Sequence, residues 1–422
     1  MFFGEMVTGQ KRYRVRVDEH GKLEIPASLA ERFGLRAGEQ TMLEENGRQL
    51  ILHRPVTFLE RVYVEPTNVC NLHCRTCIRN VWDEPAGYMS EETYERLLQG
   101  VKVFYPPPTL FFSGYGEPLA HPRIFKMVAA ARSIGAEVEI ITNGTLLGED
   151  ACRTLLKLGV SVLWVSLDGA TPQGYMDVRL GDALGQILSN LRRFDQLKRE
   201  YGAATQLGIA FVAMRRNIHE LPRLLELGRE LGARYYSISN VLAHTRQLHA
   251  ESLYEQAQYD PEAEKPSLLP LINLPRADFP PDVQSALAAA IRDGYRLEIS
   301  GLDALRTGNR CPFIEKGSLS VRWDGKVSPC LPLLHSHESY LGEQVRRSHA
   351  YFVGDVNDQR LDHIWCEPAY VELRQRLQTF DFSPCVVCNS CEMAEQNLED
   401  CFGNTQPACG GCLWAQGLIQ CP

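Results

Sequence analysis

Three cysteines stand at C-x3-C-x2-C spacing in Cys70-Asn71-Leu72-His73-Cys74-Arg75-Thr76-Cys77. Thiols this close suit a shared metal centre. A cubane iron–sulfur cluster takes four cysteine ligands as a rule, so a trio leaves one iron open to a ligand that is not protein. A zinc site or buried structural thiols are the alternatives, although zinc sites usually come as two spaced C-x-x-C pairs.

The cysteine count extends the argument. The 422-residue chain holds 14 cysteines, too many for a reducing compartment unless they have a task. Disulfides are disfavoured there, which points to metal or redox chemistry. Cys152, in the helical pattern ACRTLLKLG, reads as a small core residue. Ten others lie from residue 311 onward: Cys311, Cys330, Cys366, Cys385, Cys388, Cys391, Cys401, Cys409, Cys412 and Cys421. The first residues carry no long apolar leader, and no 18-residue apolar run occurs. We therefore expect a cytoplasmic protein without a membrane partner. The net charge of -8 gives no sign of general affinity for nucleic acid or anionic membranes.

Positioning the trio falls to its flanking elements, and three regions are expected: 1–56, 57–300 and 301–422. In the first, RYRVRVDEHGKLEIP alternates apolar and polar residues across a turn at His20-Gly21, which predicts a hairpin. Ala27 to Phe33 suits a short helix, and TMLEENG and QLILHRP suit two more strands. This pattern resembles the swapped-hairpin domain of AbrB/SpoVT-type regulators. The segment 11–55 holds nine Lys/Arg against seven Asp/Glu, a weak basis for DNA binding, so a docking or dimerising module is the expectation.

From about residue 60, strands alternate with helical periodicity. The strands are expected at Arg61–Glu65, Thr109–Ser113, Glu137–Thr142, Val162–Leu167, Leu207–Ala213 and Arg234–Ser239. Six such units predict α/β architecture, a partial (β/α)6 barrel of parallel strands. Residues 241–300 are Pro-rich in part and long for a connection, which suggests a lid over the site. Cys70 follows the first strand, where barrel enzymes place active-site loops.

These residues resemble the radical SAM superfamily over roughly 60–240. The resemblance implies that the open iron of a [4Fe–4S] cluster on Cys70, Cys74 and Cys77 binds S-adenosylmethionine (SAM). One electron then yields a 5′-deoxyadenosyl radical that abstracts hydrogen from substrate. Such chemistry implies a low-potential donor, a ferredoxin or flavodoxin. Gly114-Tyr115-Gly116-Glu117 resembles the family's GGEP motif, whose backbone binds the SAM amino group, with Tyr115 in place of the first glycine. Asn143 ends the third strand. Ser166 and Asp168 resemble the polar pair that holds the SAM ribose or carboxylate, and Arg179 is a candidate partner for a SAM or substrate carboxylate. Thr76 stands where the family commonly has an aromatic residue near adenine.

Cys311, Gly325 and Cys330 fit the opening C-x9–15-G-x4-C of SPASM domains, which carry auxiliary [4Fe–4S] clusters. Two such clusters need eight thiolates. Cys311 and Cys330 are assigned to one, and Cys385, Cys388 and Cys391 to the other. Cys401, Cys409, Cys412 and Cys421 complete them, with Cys366 spare. A zinc ribbon of Cys388/Cys391 with Cys409/Cys412 is the alternative. The closing run around CGGCLWAQG, with CNLHCRTCIRN, resembles maturases associated with tungsten-cofactor aldehyde oxidoreductases. That implies a tungsten oxidoreductase, its pterin cofactor or its polypeptide as substrate. A radical peptide modifier without tungsten is the second reading, and an iron–sulfur regulator the third. Tyr115, Tyr236, His244 and Asp260 are the polar candidates for proton or radical transfer.

Overall fold

In the computed structural model, residues 13–47, 49–255, 276–277, 279–299, 309–341, 344–388 and 391–421 are described. The six expected strands all form: β1 (Arg61–Val64), β2 (Thr109–Phe112), β3 (Val138–Thr142), β4 (Val162–Ser166), β5 (Gln206–Ala213) and β6 (Ala233–Asn240). Four more join the same sheet: β7 (Arg296–Ile299), β8 (Ser318–Val321), β9 (Lys326–Ser328) and β10 (Gly354–Asp355). The order is β7-β6-β5-β4-β3-β2-β1-β8-β9-β10. Pairing is parallel from β7 to β8 and antiparallel thereafter.

Side chains alternate across this sheet, as a pleated strand requires. Val62 and Val64, Leu110 and Phe112, and Leu163 and Val165 enter the core beneath the helices. The residues between them, Tyr63, Phe111 and Trp164, point into the concave side instead. There they meet Leu331, Leu334, Leu413, Trp414 and Leu418 from the C-terminal part of the chain. The open side of the partial barrel is thus closed by the cysteine-rich segment. That segment is anchored along β6, where Asn240 Nδ2 donates to the Leu418 carbonyl at 2.8 Å and Gln420 N–H donates to Ser239 Oγ at 3.1 Å.

One expectation changes. Within 241–300, residues Pro281–Arg292 form a helix and Arg296–Ile299 form β7, the seventh parallel strand. Val283, Leu287 and Ala290 recur at helical spacing and are buried, so this part extends the barrel wall rather than lying over its mouth. Asp260 lies outside the described residues. In the N-terminal unit, Arg16–Val17 pairs antiparallel with Leu23–Glu24, and Leu43–Asn46 with Gln49–Leu52, on either side of a helix at Ala27–Arg32. Among the described residues, no helix is long and apolar enough to cross a membrane.

Candidate active site and cluster sites

The cysteine trio sits in the loop that leaves β1, and its neighbours are the loops that leave β2, β3 and β4. Leu72 N–H points at Cys70 Sγ (3.4 Å), and Asn143 Nδ2 lies 3.8 Å from the same sulfur. Arg179 Nη1 lies 3.5 Å from Cys74 Sγ. Burial raises the Cys70 and Cys77 thiols above their ordinary range. A cluster's iron charge would let them ionise. Three thiols within electrostatic reach of one another, with N–H donors beside Cys70 and Cys74, suit such a group.

The SAM-type loop is held from below. Gly114 has φ +104°, and a Cβ there would strike the Glu65 side chain. Gly116 packs against backbone: a Cβ would stand 2.1 Å from the Thr67 carbonyl oxygen. Glycine here lets the loop after β2 lie directly on the loop carrying Cys70. Tyr115 is half-buried, its N–H donating to Glu65 Oε1 at 3.1 Å. The buried Glu117 carboxylate accepts from Thr142 Oγ1 (2.7 Å), Asn143 N–H (2.7 Å) and Leu119 N–H (3.0 Å). Its role in these contacts is to tie two strand ends together.

Asp168 is fully buried and both its oxygens are engaged. Oδ1 accepts from Val212 N–H at 2.9 Å, and Oδ2 pairs with Arg179 Nη2 at 2.7 Å. Paired in this way, Asp168 holds Arg179 beside the cysteine loop, and Ser166 at the end of β4 is half-buried. Of the other candidates, Tyr236 lies in the core beneath the helices, its hydroxyl donating to Leu225 carbonyl at 3.4 Å. His244 is buried, with Nδ1 3.2 Å from the Leu242 carbonyl.

The C-terminal cysteines divide into two groups. Cys311, Cys330, Cys409 and Cys412 line one cavity of about 750 Å³, measured with its open mouth. Burial pushes the Cys311 thiol up to about 12 and Cys330 and Cys409 well above the usual thiol range. Cys388 lies within electrostatic reach of Cys385, Cys391 and Cys401, which form the second group. Among the described residues no group of three or more His, Cys, Asp or Glu side chains is drawn tight enough for a single metal ion. The four cysteines of the alternative zinc ribbon are shared between the two groups.

Two glycines between Cys409 and Cys412 permit this packing. A Cβ at Gly410 would meet the Ser383 carbonyl, and one at Gly411 the Arg346 guanidinium. Arg346 in turn donates to the Ala394 and Ala408 carbonyls at 3.0 Å each, bracing both groups. Cys421 stands apart from the cavity lining, taking the Trp414 Nε1–H at 3.3 Å. Cys366 is exposed.

A parallel half-barrel with a cysteine trio after its first strand and cysteine quartets behind it defines an iron–sulfur radical enzyme. Residues 64–227 match the radical SAM superfamily, and residues 311–392 match the SPASM iron–sulfur cluster-binding domain. The chain thus carries a radical SAM domain followed by a SPASM domain. It is 27% identical, over 86% of its own length and 97% of the relative's, to the tungsten-containing aldehyde ferredoxin oxidoreductase cofactor-modifying protein of Pyrococcus furiosus. It is 28% identical to the PqqA peptide cyclase of Streptomyces rochei over 42% of this chain and 47% of that one. Among solved structures, Streptococcus suis SuiB bound to the precursor peptide SuiA aligns with a TM-score of 0.53 at 16% identity. That alignment covers 78% of this chain and 70% of SuiB, a likeness of fold.

Reasoning from sequence missed Glu65, Glu84 and His335, which meet behind Tyr115. The one available signal was Glu65, a carboxylate directly after the apolar residues Val62–Val64 of the first strand.

Proposed function

We propose that the chain cleaves SAM reductively and uses the radical to mature a tungsten-containing oxidoreductase, acting on its pterin cofactor or polypeptide. Cys70, Cys74 and Cys77 would hold a [4Fe–4S] cluster. Cys311, Cys330, Cys409 and Cys412 would hold one auxiliary cluster, and Cys385, Cys388, Cys391 and Cys401 the other. Bound there, cluster and SAM supply the 5′-deoxyadenosyl radical. The chain's own residues do the rest. Arg179, aimed by Asp168, offers a guanidinium beside Cys74 to a carboxylate. Asn143 braces Cys70, and the Gly114–Glu117 loop presents its backbone to the ligand. Ser166 offers a hydroxyl at the end of β4. The buried aromatic residues of the concave face exclude water.

The length-wide likeness to the Pyrococcus protein carries the tungsten reading, because it includes most of the chain where the peptide cyclases match less than half. The peptide-modifier reading is kept because those cyclases do match. A ferredoxin or flavodoxin would supply electrons, and the fourteen free thiols suit a reducing cytoplasm. The N-terminal unit would join a second copy, since Val17, Leu23, Leu43 and Leu50 leave more than half of their surfaces exposed. Anaerobic reconstitution with SAM and dithionite should release 5′-deoxyadenosine, and the protein should activate an unmatured tungsten oxidoreductase. SAM cleavage without activation would favour the peptide reading; no cleavage with all clusters present would defeat both.

A further inference from the structure

At the seam between barrel and C-terminal segment lies a charged node that the cysteine chemistry does not use. His335 is fully buried. Its Nε2 lies 2.9 Å from Glu65 Oε2 and 3.1 Å from Oε1, while Nδ1 meets Glu84 Oε2. A carboxylate on each ring nitrogen calls for a proton on each, so the ring is an imidazolium. Trp82 lies against it with ring centroids 4.3 Å apart, a favourable neighbour for a cation. Arg322 lies 3.5 Å from Glu84 but is held more closely by Asp324, at 2.6 Å.

The node reaches the SAM-type loop through Glu65. The same carboxylate that binds His335 accepts the Tyr115 N–H at 3.1 Å. The Tyr115 hydroxyl donates to the Leu331 carbonyl at 3.4 Å, and its ring stands edge-on to Trp82 and His335 at 5.3 and 5.5 Å. Tyr115 occupies the position where the motif it resembles has its first glycine. The side chain gained there is built into the contact with the C-terminal segment.

We propose that His335 is a positioning residue, through which the C-terminal segment fixes Glu65, and with it the backbone of Tyr115, in the geometry that receives SAM. The proposal rests on the reading of the Gly114–Glu117 loop as SAM-binding. Without the imidazolium, the buried Glu65 carboxylate would lie near the partly exposed Glu84 with no positive charge between them, and like charges repel. Glu65 would move or take up a proton, and the Tyr115 N–H would lose a fixed acceptor. A glutamine at 335 cannot substitute, since its amide has donors at one atom only and would leave one carboxylate unmatched.

The node also has a pH dependence of its own. Burial pulls the His335 pKa down, but the hydrogen bonds and charges of Glu65 and Glu84 outweigh it and hold the ring near 9. Glu84 is correspondingly lowered, and Arg322 with Asp324 completes the charged surroundings. His337, two residues away, is pushed down to about 4 by burial and stays neutral. The Tyr115 phenol is raised by burial and remains protonated. A raised histidine stabilises the fold fully below its ordinary value of about 6.5, and that contribution is lost as pH climbs through about 9.

The test uses the anaerobically reconstituted full chain. SAM affinity, read from the change in the reduced-cluster EPR signal, and hydrogen exchange of the peptide spanning Tyr115 are followed from pH 6.5 to 9.5. Wild type should bind SAM evenly until pH nears 9 and then weaken. His335→Gln should bind about 10- to 100-fold more weakly at neutral pH, lose the alkaline limb and exchange faster at Tyr115. Should His335→Gln fail to assemble, Glu84→Gln decides: it removes one of the two charges that raise His335, so the alkaline limb should move to lower pH. A His335→Gln protein with wild-type affinity, exchange and pH profile overturns the proposal, as does an unmoved limb in Glu84→Gln. A wild-type protein with all clusters that binds no SAM at any pH overturns the SAM reading of the loop, and the proposal with it.

Discussion

Replacing Gly116 with alanine adds a single methyl group where the structure has least room for one. The new Cβ would stand 2.1 Å from the Thr67 carbonyl oxygen and 2.7 Å from that of Val69, where ordinary contact begins near 3.4 Å. Both obstacles are backbone, and neither is free to yield. Thr67 is held by its hydroxyl to the Gly87 carbonyl at 2.6 Å, and the Val69 carbonyl accepts the Glu117 N–H at 2.8 Å. One loop must therefore shift by about 1.3 Å relative to the other, and the displaced loops carry Cys70 and the SAM-type turn. Overpacking of this kind costs ~1–3 kcal/mol of stability. A misplacement of about 1 Å near reacting groups costs roughly 100-fold in rate. The assay is 5′-deoxyadenosine release per cluster, with SAM and dithionite under anaerobic conditions. Gly185→Ala provides the control, because it lies in the helix Leu184–Tyr201 with nothing near its added methyl. It should keep full activity and gain on the order of 0.5 kcal/mol. A Gly116→Ala protein within about threefold of wild type, a difference below ~1 kcal/mol, would refute the close-packing argument.

Two further outcomes follow from the site. Loaded with three cubanes the chain should hold about 12 irons; Cys412→Ala should lose about four of them, whereas Cys421→Ser and Cys366→Ser should lose none. Iron and sulfide assays check this, and a loss of four irons in Cys421→Ser would return that residue to the ligand set. Asp168→Asn keeps an acceptor for Val212 but leaves the buried Arg179 without its counter-charge, which should cost ~3–5 kcal/mol. Glu92→Gln, which breaks an exposed pair with Arg96, should cost only ~0.3–0.5 kcal/mol. Urea unfolding of the two variants side by side gives the comparison, and equal midpoints would contradict it.

Much of the barrel was legible because its signals are local. Each strand announces itself by a short apolar run, while the pleat of the folded sheet decides which of those residues lie under the helices and which on the concave side. The cysteine trio is equally local, since three ligands within eight residues need only one loop to converge. The stretch 281–299 was misread because the Pro-rich residues before it resemble a long loop. Its own helix and strand depend on a parallel edge at β6, which no local pattern reveals. Asp168 was read as one of a polar pair holding SAM because its strand end resembles that motif. The structure adds what the motif could not show, its buried pairing with Arg179.

The sequence alone determined the radical SAM character of the chain, the trio of thiols and the presence of more cysteines than one cluster needs. Those facts lie in residue type and short spacing, which folding does not alter. Which cysteines stand together was decided by tertiary structure. Cys311 and Cys330 join Cys409 and Cys412 across about a hundred residues, because Gly410 and Gly411 let the closing loop pack against Ser383 and Arg346. The same holds for Glu65, Glu84 and His335. They come from separate segments, and the burial of Glu65 and His335, where each charge must find its opposite, brings them into one node with Glu84.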